Sequence, residues 1–396
     1  MTPRKPRPTQ VLAACTIGNA VGVTPMVYTV FGLFLIPISD EFSWPRSQVS
    51  FVFLILAIAG AIAYPVVGRA IDRFGARRII IPGLFFFALS VALISVTTAN
   101  LASFYLSFAL LGITAAIPSS VMYTKVIAGW FDHNRGFALG FAGGVGNGVG
   151  AALAPMLAAF LIVNYGWRGA QQGLALTILA IGLPTLILFL KDPPPLSETQ
   201  KPSSGVTLAQ ARKTPTFWII LVAIALGAGC MTAVFAHVVP MLVDRNLPMD
   251  QAVSVLVTFS MVTAFWQVGV GYVLDKFPKP WIAAPFYLAA ILGLILFEST
   301  SQQTGLLLAA TLMGLGLGTE YGVLPYFLSR YFGVRHYGSI SGAVYGVIVL
   351  TQGITPFLMD LNFDVSGNYQ LSVLVICAAM LVGALLLTRL KPFANP

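Results

Sequence analysis

The chain has 396 residues, of which 57% are hydrophobic and only 9% charged, with a mean hydropathy of +0.87. An average soluble domain carries roughly 25% charged residues, so this composition excludes a soluble globular protein and specifies one that lives in a bilayer. The formal net charge of +9 does not describe a nucleic-acid footprint, because the basic residues are spread over separate short loops.

Twelve apolar runs follow one another along the chain, each long enough for the roughly 20 residues a helix needs to cross about 30 Å of hydrocarbon. Their predicted spans are 11–38, 48–68, 79–98, 103–126, 136–161, 170–190, 216–242, 251–273, 281–300, 304–328, 338–359 and 370–389. The first follows "MTPRKPRPTQ" and is too long for the core of a cleaved signal, so it is read as the first transmembrane helix. Starting inside, all but four of the 22 Lys and Arg residues fall on the cytoplasmic side. The exceptions are Arg46, Arg168 and Arg245 outside and Lys125 within a segment. By the positive-inside rule both termini are then cytoplasmic, in a bacterial-style inner (cell) membrane.

Between the second and third segments lies "GRAIDRFGARR", residues 68–78, with five charged side chains. Gly75 supplies the backbone freedom a tight helix-to-helix turn needs. Asp72 is an anion suited to a helix N-terminus or a facing Arg, and Arg69, Arg73, Arg77 and Arg78 anchor the loop inside. The polar stretch 191–215, rich in Pro, Ser and charge, reads as a cytoplasmic linker. It divides the chain into six-helix bundles at 1–191 and 216–396, with the linker proper at 192–215.

Those halves repeat. From Pro37 to Gly68 and Asp72 the steps are 31 and 35 residues, and from Pro240 to Gly271 and Asp275 they are the same. Pro45 then falls on Pro248 and Gln48 on Gln251 without a gap. "LLGITAAIPSSVMYTKVIAGWF" in the fourth segment also resembles "LMGLGLGTEYGVLPYFLSRYF" in the tenth. Two parallel repeats of this kind are a transporter architecture with the substrate site at the repeat interface. No charged ring or filter-like loop suggests a channel.

Gly68, Asp72, Arg73, Gly75, Arg77 and Arg78 fit G-x-x-x-D-R-x-G-x-R-R, which resembles the signature of the major facilitator superfamily. A degenerate copy, "GYVLDKFPKP", keeps Gly271, Asp275 and Lys276 but has Pro278 and Pro280 later on. The resemblance implies an all-α membrane fold of twelve helices in two pseudo-symmetric bundles. It also implies a gating role for this loop, a latch on the cytoplasmic side, the alternative being a topological anchor only. "GWFDHNRGFALGFAGG" and "GLGLGTEYGVLPYFLSRYFG" resemble the branch of monocarboxylate porters and oxalate/formate exchangers. That branch associates a cation in helix 8 with carboxylate binding, whereas segments 1 and 8 here contain no Lys or Arg.

Ionisable groups within membrane segments are costly and therefore candidates for function. Lys125 is the candidate for holding an anionic group, its alternative being to snorkel to the headgroups. Glu320, about 15 Å deep from Arg330 at 1.5 Å per residue, is the candidate for proton coupling, its alternative being a structural partner of backbone or a neighbouring helix. By the resemblance helices 1, 4, 7 and 10 line the cavity, which would let these two alternate between each other and their cargo. His237 is a second candidate for proton coupling, the bland reading being a packed histidine. Asn19, Tyr28, Tyr123, Trp266, Gln267, Tyr321, Tyr326, Tyr345 and Gln352 complete the possible substrate lining, as apolar walls with hydrogen-bonding tips.

The glycine spacings of "GFALGFAGGVGNGVGAALAP" do not follow a strand, so a dinucleotide loop is rejected. Gly140, Gly144 and Gly148 form instead a small-residue stripe for close helix approach, static or sliding. Cys15, Cys230 and Cys377 show no metal or disulfide spacing, and no Walker loop or nucleophile–base pair supports an ATPase or an enzyme. The sequence thus predicts a secondary transporter, acting as a monomer without cofactor or metal, that moves a small monocarboxylate-like organic anion by alternating access with proton symport. An exchanger or exporter of another small organic compound is the alternative.

Overall fold

The computed structural model describes residues 7–44, 48–49, 51–193 and 205–393. Pro45, Arg46 and residues 194–204 of the expected linker lie outside them. Eleven helical stretches among the described residues are long and apolar enough to span a bilayer. One of these, Arg135–Phe189, breaks at Gly166 (φ 68°, ψ 174°) into two helices, so the chain crosses twelve times. We label them α1 (Pro8–Tyr28), α2 (Val52–Phe74), α3 (Ala76–Val96), α4 (Leu101–Trp130), α5 (135–165), α6 (167–189), α7 (Pro215–Asp244), α8 (Met249–Lys276), α9 (Pro280–Ser299), α10 (Gln303–Phe332), α11 (Tyr337–Ser366) and α12 (Gln370–Thr388).

The loop expected at 162–169 shrinks to a single residue, because a glycine with positive φ turns the chain without a Cβ clash. The first segment differs more. A continuous helix over 11–38 is expected, but regular α geometry stops at Ala20, a π-helical turn runs over Thr24–Tyr28, and a further helix spans Phe31–Phe42. Gly22 and Pro25 account for the interruption: glycine weakens the helix, and proline removes an N–H and crowds the preceding turn. α4 is also interrupted, leaving helical geometry at Ala116 and restarting at Ser120 after Pro118 and an extended Ser119. α5 carries a π-helical turn over Phe141–Val145.

Between α2 and α3 the chain reverses at Gly75, with φ 90° and ψ 151°. A side chain there would be strained by φ and would meet Asp192 Oδ2 at 2.9 Å. The matching turn after α8 uses the proline route instead. Lys279 is extended and Pro280 opens a short 3-10 turn, Pro280–Ala283, with no positive φ. The start of the expected linker is folded onto α3. Asp192 accepts hydrogen bonds from the Ala76 and Arg77 amides at 2.7 and 3.2 Å, filling orphan donors of that helix's first turn. Its far end forms one helical turn, Leu208–Ala211, with a Thr207/Gln210 capping box.

The chain packs into two compact units. One comprises Met1–His133, Phe141–Gly205 and Gly333–Gly346, the other Asn134–Gly140, Val206–Phe332 and Val347–Pro396. The first therefore includes the beginning of α11, and the second the beginning of α5.

Candidate functional site

In the first unit, backbone contact comes before side-chain chemistry. A methyl added to Gly68 of α2 would overlap the Gly338 carbonyl oxygen, and one on Gly338 would lie 2.5 Å from Gly68 O. Only glycine at both positions lets α2 and the first turn of α11 cross so closely. That crossing puts Asp72 over the α11 N-terminus, where its carboxylate accepts from the Gly338 amide at 3.0 Å and the Ser339 amide at 2.6 Å. It accepts also from the Ser339 hydroxyl. An anion at these unpaired amides is favoured by hydrogen bonding and by the helix dipole. Lys125 of α4 completes the arrangement by pairing its Nζ with Asp72 Oδ1, the two side chains being only 15% and 9% exposed. Tyr337 donates to Thr124 Oγ1 at 3.1 Å beside it. Arg77 reaches the Leu190 and Ile187 carbonyls at the end of α6, Arg73 lies 5.1 Å over the Phe74 ring, and Arg78 is exposed.

The second unit repeats the device. Gly136 of α5 and Gly271 of α8 are each so close that a methyl on one would overlap the other's carbonyl oxygen. Asp275 accepts from the Gly136 and Phe137 amides at 2.9 and 2.8 Å. The partner glycines, Gly136 and Gly338, are not among the sequence candidates. A signal for them exists in "NRGFALG" and "HYGSISG", which share both glycines in register. Gly140 and Gly342 extend it, each with its Cβ position against the backbone oxygen of the facing helix, Gln267 and Tyr64 respectively. Counting back from Phe131 and Phe332 puts Tyr326 in the repeat position of Lys125. Its fully buried ring sends its hydroxyl to Leu274 O at 3.1 Å.

Within the first unit the interruptions of α1, α4 and α5 meet around amide side chains. Asn19, 2% exposed, donates from Nδ2 to Ala142 O at 3.0 Å and accepts from the Ser120 hydroxyl. Asn147 donates from Nδ2 to Gly143 O at 2.9 Å and to Ser120 Oγ at 3.2 Å. Tyr123 is fully buried one turn further along α4, its hydroxyl pressed against Gly18, where a Cβ would lie 2.5 Å away. Tyr28 is 39% exposed and stacks on Phe53 with ring centroids 5.7 Å apart. Tyr345, in the α11 stretch of this unit, is half-buried.

In the second unit Glu320 is 1% exposed, and among the described residues its carboxyl has the Tyr287 hydroxyl beside it and no ion-pair partner. The carboxyl rests on Gly227 of α7, where a methyl would overlap Oε1 and sit 2.6 Å from the Tyr287 hydroxyl. Glycine at 227 thus makes the space the acid occupies. A separate polar group joins three helices: Gln352 donates to Thr232 Oγ1 at 3.2 Å and to the Tyr321 hydroxyl at 3.4 Å. Trp266 donates to Thr319 Oγ1 at 2.9 Å, and Gln267 is half-buried. His237 is 5% exposed, with Nδ1 2.8 Å from Ala233 O and its ring 5.8 Å from that of Tyr369. The structure therefore brings Lys125 to Asp72, Asn19 to α4 and α5, and Tyr321 to Gln352, while Tyr326 belongs with the Asp275 end of its helix.

The sequence matches the family model described as Major Facilitator Superfamily over residues 17–356. It is 25% identical over 379 residues to the MFS transporter asaE of Aspergillus flavus, covering 93% of this chain and 81% of that protein. It is likewise 25% identical over 379 residues to monocarboxylate transporter 13 of Bos taurus, covering 92% and 85%. A crystal structure of the E. coli fucose:proton symporter FucP superposes with a TM-score of 0.70 at 14% identity, over 96% of this chain and 98% of that one.

Proposed function

The chain belongs to the major facilitator superfamily of membrane transporters, and we propose that this member carries a small, monocarboxylate-like organic anion by alternating access together with a proton. The observation that carries the reading is Glu320, a carboxyl buried in the second unit with the Tyr287 hydroxyl beside it and no ion-pair partner among the described residues. An ionised carboxylate is costly in such surroundings unless it is paired. Taking up a proton removes that cost, so the residue suits a group that is loaded and unloaded as the protein changes state. His237 is the second proton candidate. Lys125 supplies the positive charge for the anion: its ammonium is shared with Asp72 and 15% exposed, so an incoming carboxylate competes with Asp72 for it. Asn19, Tyr28, Tyr123, Trp266, Gln267, Tyr321, Tyr326 and Tyr345 are the proposed lining. The similarity to a protein named monocarboxylate transporter 13 supports the substrate class.

Gly68, Asp72, Arg73, Gly75, Arg77 and Arg78, with Asp275 in the repeat, are the proposed gate. In this reading Asp72 and Asp275 hold the N-termini of α11 and α5 in one state of the cycle and release them in the other. The proposed bundles are 1–191 and 216–396, joined by the linker 192–215. The Lys and Arg distribution puts both termini in the cytoplasm, and the protein works as a monomer in a bacterial inner membrane.

Uptake by proteoliposomes tests the reading with labelled lactate, pyruvate and formate under an imposed pH gradient. Glu320→Gln, which keeps the shape of the protonated acid, is expected to lose gradient-driven accumulation while keeping counterflow between internal and external substrate. Full gradient dependence in Glu320→Gln would sink the proton assignment. Uptake that ignores the gradient in the unaltered protein but is stimulated by internal substrate would identify an exchanger instead.

A further inference from the structure

We propose that Asn19, Ser120 and Asn147 form a hydrogen-bonding subsite whose open end is an acceptor, so that the transported molecule presents it with a donor, a hydroxyl or N–H group, distinct from its carboxylate. The proposal rests on the organic-anion reading for the rest of the cargo but not for the group bound here.

The polarity of the chain follows from its fixed ends. Ala142 and Gly143 lie in the π-helical turn of α5, and their carbonyls can only accept. The amide nitrogen of Asn19 must therefore face Ala142 O, and that of Asn147 must face Gly143 O. Asn19 then turns its oxygen to Ser120, which makes the serine hydroxyl a donor in that bond. With its one proton committed, Ser120 Oγ accepts from Asn147 Nδ2. Each link dictates the next, and the group left over is Asn147 Oδ1. Asn147 and Ser120 are half-buried, whereas Asn19 is 2% exposed, so the fixed end of the network is enclosed and the acceptor end is accessible.

The backbone supports the same place. α1 leaves α geometry after Ala20, α4 restarts at Ser120, and α5 has its π turn at Phe141–Val145. Irregular backbone at membrane depth is tolerated where it is buried in protein or lines a cavity, and π turns inside helices recur at functional sites. The helices that match them in the second half of the chain, α7, α10 and α11, run as uninterrupted helices of 30 residues each. Three coincident interruptions are thus a property of the first half of the chain. An amide oxygen held from behind by two backbone carbonyls discriminates well, because a ligand lacking the donor leaves it unpaired.

Binding to the purified full-length protein, read by thermal shift and intrinsic tryptophan fluorescence, tests this with matched probes. The acid pair is lactate and propionate, and the neutral pair is lactamide and propionamide. In the unaltered protein the hydroxylated member of a pair is expected to bind about tenfold more tightly. Asn147→Leu should bring that ratio close to one, and Ser120→Ala, which removes one of the two anchors of the Asn147 amide, should lower it. The two variants act at different links, so misfolding of one leaves the other to decide. Equal ratios in the unaltered protein and both variants would overturn the subsite. Acids that bind with no preference for the hydroxyl leave the organic-anion reading standing and defeat this one. A hydroxyl preference confined to the amides does the reverse.

Discussion

Asp72 and Asp275 occupy matching places in the repeat and are not held alike. Both accept two backbone amides from the first turn of a helix whose glycine lies against their own helix. At Asp72 a lysine ammonium and a serine hydroxyl are added. The repeat position of that lysine is Tyr326, whose hydroxyl goes to a backbone carbonyl. The other end of the bundles shows the same contrast. Arg168 of the first unit bonds Glu41 at 2.6 Å, whereas Arg245 of the second donates to the carbonyls of Phe297, at 2.7 Å, and Thr300. The shared element is backbone geometry, which demands glycine and tolerates no substitute. The divergent element is charge: Asp72 and Arg168 each gain an oppositely charged side chain, whereas Asp275 and Arg245 bond main-chain groups.

Breaking the shared element should have the largest effect. Gly68→Val or Gly271→Val forces apart helices whose backbones are in contact. Each is expected to abolish transport in proteoliposomes and to expose the helix crossing, read by cysteine accessibility at introduced neighbouring positions. Near-normal uptake in either variant would show that the close crossing is dispensable.

Charge should separate the two copies. Asp72→Asn leaves the Lys125 ammonium mostly buried without its counter-charge, a loss of about 3 kcal/mol for breaking such a pair from one side. Asp275→Asn weakens hydrogen bonds to two amides, a loss nearer about 1 kcal/mol. Thermal denaturation in detergent should rank them in that order. Adding Lys125→Met to Asp72→Asn should recover much of the first loss, since the stranded charge is then gone. Equal losses and no recovery would mean that the lysine contributes nothing at this site.

The smallest effect concerns acid. Hydrogen bonds from Arg168 and then Trp167 hold the Glu41 carboxyl below its ordinary range. A carboxyl lowered on folding stabilises the protein above its unfolded value, and that contribution is lost as pH falls through the folded one. Both partners are 39% exposed, so the pair is worth no more than about 1 kcal/mol. Stability of the unaltered protein should therefore decline slightly more between neutral pH and mild acid than that of Glu41→Gln. Identical pH profiles would show the pair to be neutral.

Some of this machinery is legible in order along the chain. The spacing of Gly68 and Asp72 from Pro37, repeated at Pro240, Gly271 and Asp275, marks both aspartates. Gly75 is readable from the demands of a short turn and does take a positive φ. The partners are not readable in that way. Gly338 and Ser339 offer Asp72 backbone amides, and every residue but proline has one, so no residue type advertises the contact. Lys125 is conspicuous as a charge in an apolar segment, yet the carboxylate it pairs with lies on another helix 53 positions away. Ser120 and Asn147 are inconspicuous for a related reason. Small polar residues are ordinary in membrane helices, and only the meeting of three interrupted helices makes these two a group.

What the sequence by itself determined is what depends on neighbours along the chain or on fixed spacing: twelve apolar crossings, a duplicated half, a tight charged turn and a very small set of intramembrane charges. Burial of backbone polar groups within helices makes the crossings inevitable once the apolar runs exist. The tertiary structure decided which carboxylate Lys125 faces, which helix ends the two aspartates hold, and that Glu320 rests on Gly227 beside the Tyr287 hydroxyl. Those outcomes turn on close approach between helices distant in sequence. A glycine in place of a larger residue sets that approach, and the pairing of charges follows from it.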